Sequence, residues 1–364
     1  MPSQETGPVP TYTIIQADGL YEDDVFEQQI LNPANKSHPY KVEYLQTYLS
    51  PEGVPTHKPW TAIDKSLRDR VNGISILKPG FSAEDLRSLS TIEGVCAPLL
   101  STDDRVDRVA LAKRGVTLCN IPNYGTAEIA DHALALALSL RRGVALHHEL
   151  QRASPPSEWS YFDTPLVSRI QGATFGILGF GLIGTAVAMR AKAFGWKVLI
   201  YDPFIPNGVD KALGIDRTRD LQELFRRSSI VSVHCPSNPA TQGLVIEKLL
   251  RLMPKGGILV NTARGEIVDL DAVESCLRDG TLAGAGLDVV PGEPLPVDGP
   301  VHPLLKAYRE KEEWLVGRLV VTPHSTWHSP ESLVDVRIKT SETMKDVLID
   351  GLRINVIPPP KVEE

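Results

Sequence analysis

The second half of the chain alternates short apolar runs with helix-like segments. Six apolar runs predict strands, at Thr174–Leu178, Lys197–Tyr201, Ile230–His234, Ile258–Asn261, Ala283–Val289 and Leu319–Thr322. Helical patterns separate the first five runs, at Gly184–Phe194, Leu221–Arg227, Ile246–Leu252 and Asp271–Asp279. Continuous apolar strands that alternate with helices are typical of a parallel sheet covered on both faces. This half is therefore predicted to be a doubly wound α/β domain.

The first 121 residues show a less regular pattern. Strands are predicted at Tyr12–Ile15, Ile74–Leu77 and Gly94–Leu100, and a helix at Ser82–Leu89, with Ser82 and Asp85 as its start signal. The sequence between the first strand and Pro59 is polar and interrupted by prolines. The strands and the helix together indicate a second, smaller α/β layer.

Two further helices are predicted outside these regions. Residues Thr126–Arg152 contain no proline and one glycine, Gly143, which predicts a single long helix. Its middle is apolar all round, which is typical of a buried helix. The segment from Ser154 to Gln171 is a loop by composition, and Pro330–Leu352 has a helical pattern.

Composition and charge exclude several classes of protein. The 364 residues are 42% apolar, which suits two globular domains, and 38 basic against 45 acidic residues leave a formal charge of −7. This balance argues against direct binding of nucleic acid. We find no membrane-spanning stretch and no signal peptide, and the four cysteines have no disulfide or zinc spacing. We therefore expect a soluble, cytoplasmic protein with reduced thiols, and leave nuclear entry open.

A glycine-rich loop follows the first strand of the regular half. It reads G-x-G-x-x-G and comprises Gly179, Phe180, Gly181, Leu182, Ile183 and Gly184. The first glycine permits a tight turn, the second lets the backbone approach a pyrophosphate, and the third lets helix and strand pack closely. Asp202 ends the next strand, 18 residues after Gly184, where it can bond ribose hydroxyls and repel a 2′-phosphate. The pattern predicts NAD as the cofactor; the alternative for Asp202 is a solvated strand-end acid.

Other polar residues follow the remaining strands of the predicted sheet. They are Cys235 and Pro236, then Thr262, Ala263 and Arg264, then Asp288, and finally His324. Ligands of an open parallel sheet bind at the carboxyl ends of its strands, so these residues are candidates for binding the cofactor. No histidine has metal-ligand spacing, so we predict no metal.

Three residues at this edge suit hydride transfer to a carbonyl. Histidine can both give and take a proton near neutral pH, which makes His324 the candidate acid and base. Glu293 can hydrogen-bond the imidazole, and the planar guanidinium of Arg264 can hold a carboxylate with two hydrogen bonds. Alternatively, His324 is an ordinary loop residue, Glu293 a solvated turn acid and Arg264 a locally paired residue.

Four stretches resemble the D-isomer-specific 2-hydroxyacid dehydrogenases: GILGFGLIG, VNTARGEIVD, GLDVVPGEP and VTPHSTW. Two more, VAMRAKAFGWKVLIYDP and PHSTWHS, resemble the C-terminal binding protein branch of NAD(H)-dependent transcriptional corepressors. The resemblance is strong over residues 126–330 and weak before residue 120.

The resemblance implies roles for particular residues and an architecture. It implies catalysis by Arg264, Glu293 and His324, a substrate pocket with Ser101, Arg264, His324 and Trp327, and cofactor contacts from Ser101, Asn238, Thr241 and Asp288, in addition to those named above. It further implies an NAD-binding Rossmann domain at 126–329 and a flavodoxin-like substrate domain built from 1–125 and 330–364. The helix near 126–150 would form a homodimer.

Two features depart from the family pattern. Leu100 and Thr102 stand where the substrate loop of the family has glycines, so the substrate and the turnover are left open. The interval from Glu293 to His324 is 31 residues, longer than usual, and its extra segment predicts an added surface helix.

Two hypotheses of function follow. The first is an enzyme that interconverts a 2-oxo acid and a D-2-hydroxy acid, which the intact Arg–Glu–His set favours. The second is an NAD(H)-sensing dimeric scaffold that binds peptide partners with little turnover.

Overall fold

The computed structural model describes residues 9–19, 21–34, 39–51, 57–77, 80–97 and 106–360. The chain divides into two compact units. The first unit comprises Met1–Tyr124 and Ser329–Glu364, and the second comprises Gly125–His328.

The first unit contains a five-stranded parallel sheet. Its strands are β1 (Thr11–Gly19), β2 (Lys41–Pro51), β3 (Gly73–Ser75), β4 (Gly94–Ala97) and β5 (Thr117–Asn120). They lie in the order β2-β1-β3-β4-β5, which is the order of flavodoxin. Its helices from the first part of the chain are α1 (Val25–Leu31), α2 (Lys65–Arg68), α3 (Ala83–Arg87) and α4 (Arg108–Arg114). The predicted flavodoxin-like α/β layer is confirmed.

The second unit contains a seven-stranded parallel sheet. Its strands are β6 (Thr174–Leu178), β7 (Lys197–Tyr201), β8 (Asp216–Thr218), β9 (Ile230–Val233), β10 (Gly257–Asn261), β11 (Leu282–Leu287) and β12 (Leu319–Val321). They lie in the order β12-β11-β10-β9-β6-β7-β8, so the strand order reverses beside β6, as in a Rossmann fold. The predicted doubly wound domain is confirmed, and the six predicted strands are present with bounds that differ by two residues at most.

The helices of this unit cover both faces of the sheet. They are α5 (Thr126–Arg141), α6 (Val144–Arg152), α7 (Leu182–Ala193), α8 (Val209–Leu213), α9 (Leu221–Arg227), α10 (Glu247–Leu250), α11 (Leu270–Arg278) and α12 (Pro303–Arg309). Two buried apolar clusters result, one centred on Leu259 and Leu287, the other on Ile177 and Val260. The rigid sheet between these clusters is what positions the strand ends.

One prediction about these elements is wrong. The predicted single helix at 126–152 is two helices, because Gly143 adopts the left-handed conformation (φ +63°) between α5 and α6. The predicted surface helix is present as α12, which exposes Lys306 and Arg309, buries Leu304 and Leu305 in the core cluster, and connects β11 to β12. The sequence does not predict β2, because β2 is an edge strand whose mixed polar and apolar residues obscure the strand pattern.

The last helix, α13 (Pro330–Leu348), belongs to the first unit and is joined to α1 by a buried ion pair. The guanidinium of Arg337 donates to both carboxylate oxygens of Glu27, at 2.8 and 2.7 Å, and Glu27 is 2% exposed. The same group lies over the rings of Tyr21 and Phe26, 4.7 and 4.8 Å from their centroids. Both ends of the chain are thereby held in one unit.

Within the described residues, no helix is both long enough and apolar enough to cross a membrane.

Candidate active site

The glycine loop lies between β6 and the N-terminus of α7. Gly179 has φ +93°, and a Cβ there would come 2.5 Å from the amide nitrogen of Cys235, at the end of the neighbouring strand. A Cβ on Gly184 would come 2.2 Å from the carbonyl oxygen of Gly179. A Cβ on Gly181 would meet nothing within 4 Å, so space is open above that residue. Close packing therefore requires glycine at 179 and 184, whereas Gly181 faces a free volume.

Asp202 is fixed directly beside this loop. It follows β7, and its carboxylate accepts hydrogen bonds from the amides of Phe180 and Phe204, both at 2.8 Å. The first of these amides belongs to the glycine loop. The ribose-binding candidate and the pyrophosphate-binding candidate are therefore held in one rigid arrangement.

The residues present fit a dinucleotide. Within the described part of the chain, no side chain caps the N-terminus of the 12-residue helix α7, which begins at Leu182, so the amides of its first turn are available to phosphate oxygens. Thr262, 6% exposed, follows β10, and its hydroxyl is a buried oxygen without a hydrogen-bond partner in the described part of the chain. Helix amides and a buried hydroxyl at the carboxyl edge of a parallel sheet suit the phosphates and polar groups of NAD.

The residues that follow β9 mainly stabilise their own loop. The Thr241 hydroxyl donates to the Pro236 carbonyl at 2.6 Å and accepts from the Asn238 amide at 2.9 Å, while the Asn238 side chain accepts from the Ala240 amide. Burial raises the pKa of the Cys235 thiol to about 11, so this thiol is protonated at neutral pH and unsuited to attack a substrate.

His234, which lies between β9 and Cys235, is neutral. Burial lowers its pKa to about 3, and its Nε2 lies 2.7 Å from the hydroxyl of Ser232.

His324 and Glu293 form a close pair. His324 Nδ1 lies 2.5 Å from a carboxylate oxygen of Glu293, and the two side chains are 39% and 25% exposed. A carboxylate only accepts hydrogen bonds, so Nδ1 carries a proton and donates it to Glu293. Nε2 is therefore the nitrogen that can exchange a proton with a ligand, in the arrangement that orients a catalytic histidine.

Arg264 follows β10 on a loop that packs against the loop of Glu293. A Cβ on Gly265 would come 2.0 Å from the backbone of Val290, so glycine is required for the two loops to meet. The guanidinium donates to the carbonyl of Ala263 at 2.7 Å, and the Arg264 carbonyl accepts from the side chain of Asn261. Among the described residues, no carboxylate lies within ion-pair distance of Arg264, so its charge is available to an anionic ligand.

The side chains of Asp288 and Trp327 both contact residues of the segment that contains His324. The Asp288 carboxylate is 2% exposed and accepts hydrogen bonds from Thr322, Ser325 and Thr326. The indole of Trp327 donates to the carbonyl of His324 at 3.0 Å. These three hydroxyl residues were not candidates from the sequence; their proximity to His324, in TPHST, was the available signal.

The loop with Ser101, Leu100 and Thr102 lies outside the described residues, so the substrate contacts predicted there stay predictions. Within the described ranges, no three side chains of His, Cys, Asp or Glu gather in a way that could hold a metal ion.

Comparison with known proteins identifies relatives that match most of the chain. A glycerate dehydrogenase from Methylorubrum extorquens is 32% identical over 308 residues, which cover 83% of this chain and 88% of that protein. A hydroxypyruvate reductase from Blautia hydrogenotrophica is 36% identical over 270 residues, 71% of this chain and 77% of that protein. The structure of D-lactate dehydrogenase from Aquifex aeolicus, complexed with NAD and lactic acid, aligns with a TM-score of 0.72 and 25% identity, over 96% of this chain and 100% of that chain.

The family model for the NAD-binding domain of D-isomer-specific 2-hydroxyacid dehydrogenases matches residues 134–326. This range contains the glycine loop, Asp202, Arg264, Glu293 and His324, and it is more than half of the chain. The predicted cofactor, NAD, is confirmed by this match. With this family model and two relatives above 30% identity, the chain belongs to the D-isomer-specific 2-hydroxyacid dehydrogenase family.

Proposed function

We propose that this NAD-dependent oxidoreductase interconverts a 2-oxo acid and a D-2-hydroxy acid through Arg264, Glu293 and His324. The pairing of His324 Nδ1 with Glu293 at 2.5 Å is the observation that carries the proposal. It leaves one imidazole nitrogen for the substrate oxygen and fixes the orientation of the ring.

Arg264 binds the substrate. A 2-oxo acid carries a carboxylate next to its reactive carbonyl, and a guanidinium holds a carboxylate with two parallel hydrogen bonds. Among the described residues, the side chain of Arg264 donates to the carbonyl of Ala263 and has no carboxylate within ion-pair distance, which supports this role. Binding at the carboxylate places the neighbouring carbonyl in one orientation.

His324 moves the proton. When bound, NADH supplies the hydride that reduces the carbonyl carbon. His324 donates the proton from Nε2 to the carbonyl oxygen, and Glu293 stabilises the positive charge that the imidazole carries before this transfer. In the reverse direction, neutral His324 removes the proton of the hydroxyl group.

The substrate panel is the direct test. We expect NADH oxidation, followed by absorbance at 340 nm, with at least one of glyoxylate, hydroxypyruvate, pyruvate, phenylpyruvate and longer 2-oxo acids. The glycerate and hydroxypyruvate enzymes among the relatives make hydroxypyruvate and glyoxylate the first to try. If NADH binds and none of these acids is reduced, the proposal is wrong, and the NAD(H)-sensing scaffold takes its place.

Within the family, the stretches VAMRAKAFGWKVLIYDP and PHSTWHS support a position nearest the C-terminal binding protein branch. The relatives described above are dehydrogenases and reductases, which favours an enzyme over a corepressor that recruits peptides.

A homodimer in the cytoplasm completes the proposal. Its interface would include α5 and α6, and the loop after α6 supports this surface because Trp159 and Tyr161 are 94% and 87% exposed. Four free cysteines are compatible with a reducing compartment.

Sedimentation velocity tests the homodimer and should give twice the mass of the chain. The double variant Trp159→Ser, Tyr161→Ser should shift the measured mass towards that of one chain. A monomeric wild type would contradict the homodimer.

A further inference from the structure

His324 lies in an unfavourable backbone conformation. Its φ is +52°, in the left-handed region that residues with a side chain rarely adopt. Such a conformation persists only where the surrounding structure holds it, and such residues cluster at functional sites. The contacts of the surrounding loop, residues 322–327, show what holds His324.

Backbone and side-chain contacts hold His324 itself. Its amide donates to the carbonyl oxygen of Asp288 at 2.8 Å and lies 3.1 Å from that of Thr322. Its own carbonyl oxygen accepts from the indole of Trp327 at 3.0 Å. The peptide groups on both sides of His324 are therefore restrained.

The Asp288 carboxylate holds the rest of this loop. One oxygen accepts from the Thr322 hydroxyl at 2.6 Å and from the Ser325 amide at 3.0 Å. The other accepts from the amide and the hydroxyl of Thr326, at 3.2 and 2.8 Å. A carboxylate has about four acceptor sites, so donors before and after His324 use its whole capacity.

We propose that Asp288 is a positioning residue that fixes the imidazole of His324 for proton transfer, with the hydroxyl groups of Thr322 and Thr326 as its side-chain partners. The inference rests on the proposed role of His324. It assigns the buried Asp288 carboxylate a role in the conformation of the loop, in addition to the contact with the cofactor that the resemblance to the family implies. A displacement of a reacting group by about 1 Å lowers the rate of a reaction about 100-fold.

Three substitutions test the positioning role of Asp288 in the full-length protein. Asp288→Asn keeps the size of the side chain but sets an NH₂ donor against donors, and we expect the single-turnover rate of hydride transfer to fall about 100-fold. Thr326→Val removes only the hydroxyl and should slow it about tenfold, whereas Thr326→Ser, which keeps the hydroxyl, should stay within twofold of the wild type. The Kd of NADH, measured by fluorescence, should change less than twofold in all three, which also shows that the variants are folded.

A double-mutant cycle separates positioning from a general structural effect. In a His324→Ala background, Asp288→Asn should slow the reaction less than twofold further, because the group that it positions is gone. A further 100-fold loss in that background, a loss of NADH affinity in proportion to the rate, or wild-type rates in Asp288→Asn and Thr326→Val would each overturn the inference. Failure of the proposed function has a different signature, since His324→Ala alone would then react at the wild-type rate.

Discussion

His324→Ala is expected to lower kcat by about 10²- to 10⁴-fold, which is the usual contribution of a positioned acid–base group. In the wild type, Nδ1 of His324 bonds Glu293, so Nε2 is the nitrogen that gives the proton to the substrate. The substitution removes this nitrogen, and no other group among the described residues takes its place. The measurement is steady-state NADH oxidation with the best 2-oxo acid of the panel, together with NADH titration by fluorescence. NADH affinity should stay near the wild-type value, because the glycine loop and Asp202, which are assigned to the phosphates and the ribose, are unchanged.

The matched control for this prediction is His148→Gln. His148 is an exposed histidine on α6 with no place in the site, so its replacement should leave kcat unchanged.

For Glu293→Gln, we expect a kcat between those of the wild type and His324→Ala. This variant keeps a hydrogen-bond acceptor but removes the charge that stabilises the imidazolium. If His324→Ala retains more than a tenth of the wild-type kcat, His324 is not the acid.

Arg264→Gln is expected to lower kcat/KM by about 10²- to 10³-fold, since removal of one partner of a close charge pair costs about 2–5 kcal/mol. The substrate carboxylate would lose its cation, and both its affinity and its orientation would suffer. Arg264→Lys keeps the charge but not the planar fork, so we expect it to fall between the wild type and the glutamine variant.

The cofactor affinity decides how this result is interpreted. NADH should bind to Arg264→Gln almost as tightly as to the wild type, because the guanidinium is assigned to the substrate. Loss of turnover and of NADH binding together would mean that Arg264 stabilises the loop after β10, where its carbonyl already bonds the side chain of Asn261.

Local patterns were sufficient to predict most of the strands of the second unit. The strand bounds of β6, β7, β9, β10, β11 and β12 follow from continuous apolar runs, because strands buried on both faces have no reason to carry polar residues. The same reasoning failed for β2, where an edge strand is half-exposed and its polar residues obscure the pattern. It failed again at Gly143, since a glycine in a helical pattern is compatible with both a helix and a break.

The candidate site was predictable where its parts are short motifs. The glycine loop and its distance to Asp202 suffice for NAD, since each position has a separate steric or electrostatic requirement. Arg264, Glu293 and His324 were singled out because each follows a strand, and strand ends of a parallel sheet share one edge.

The sequence alone therefore determined the fold class and the cofactor and singled out the candidate reacting groups, because these depend on periodicity and on residues close together in the chain. Only the tertiary structure decided how those groups are held. It paired Glu293 with His324 across 31 residues, required glycine at 265 where two loops meet, and brought the Asp288 carboxylate to Thr322 and Thr326. Such contacts depend on how separate strand ends pack at one edge of the sheet, and no local pattern in the chain records them.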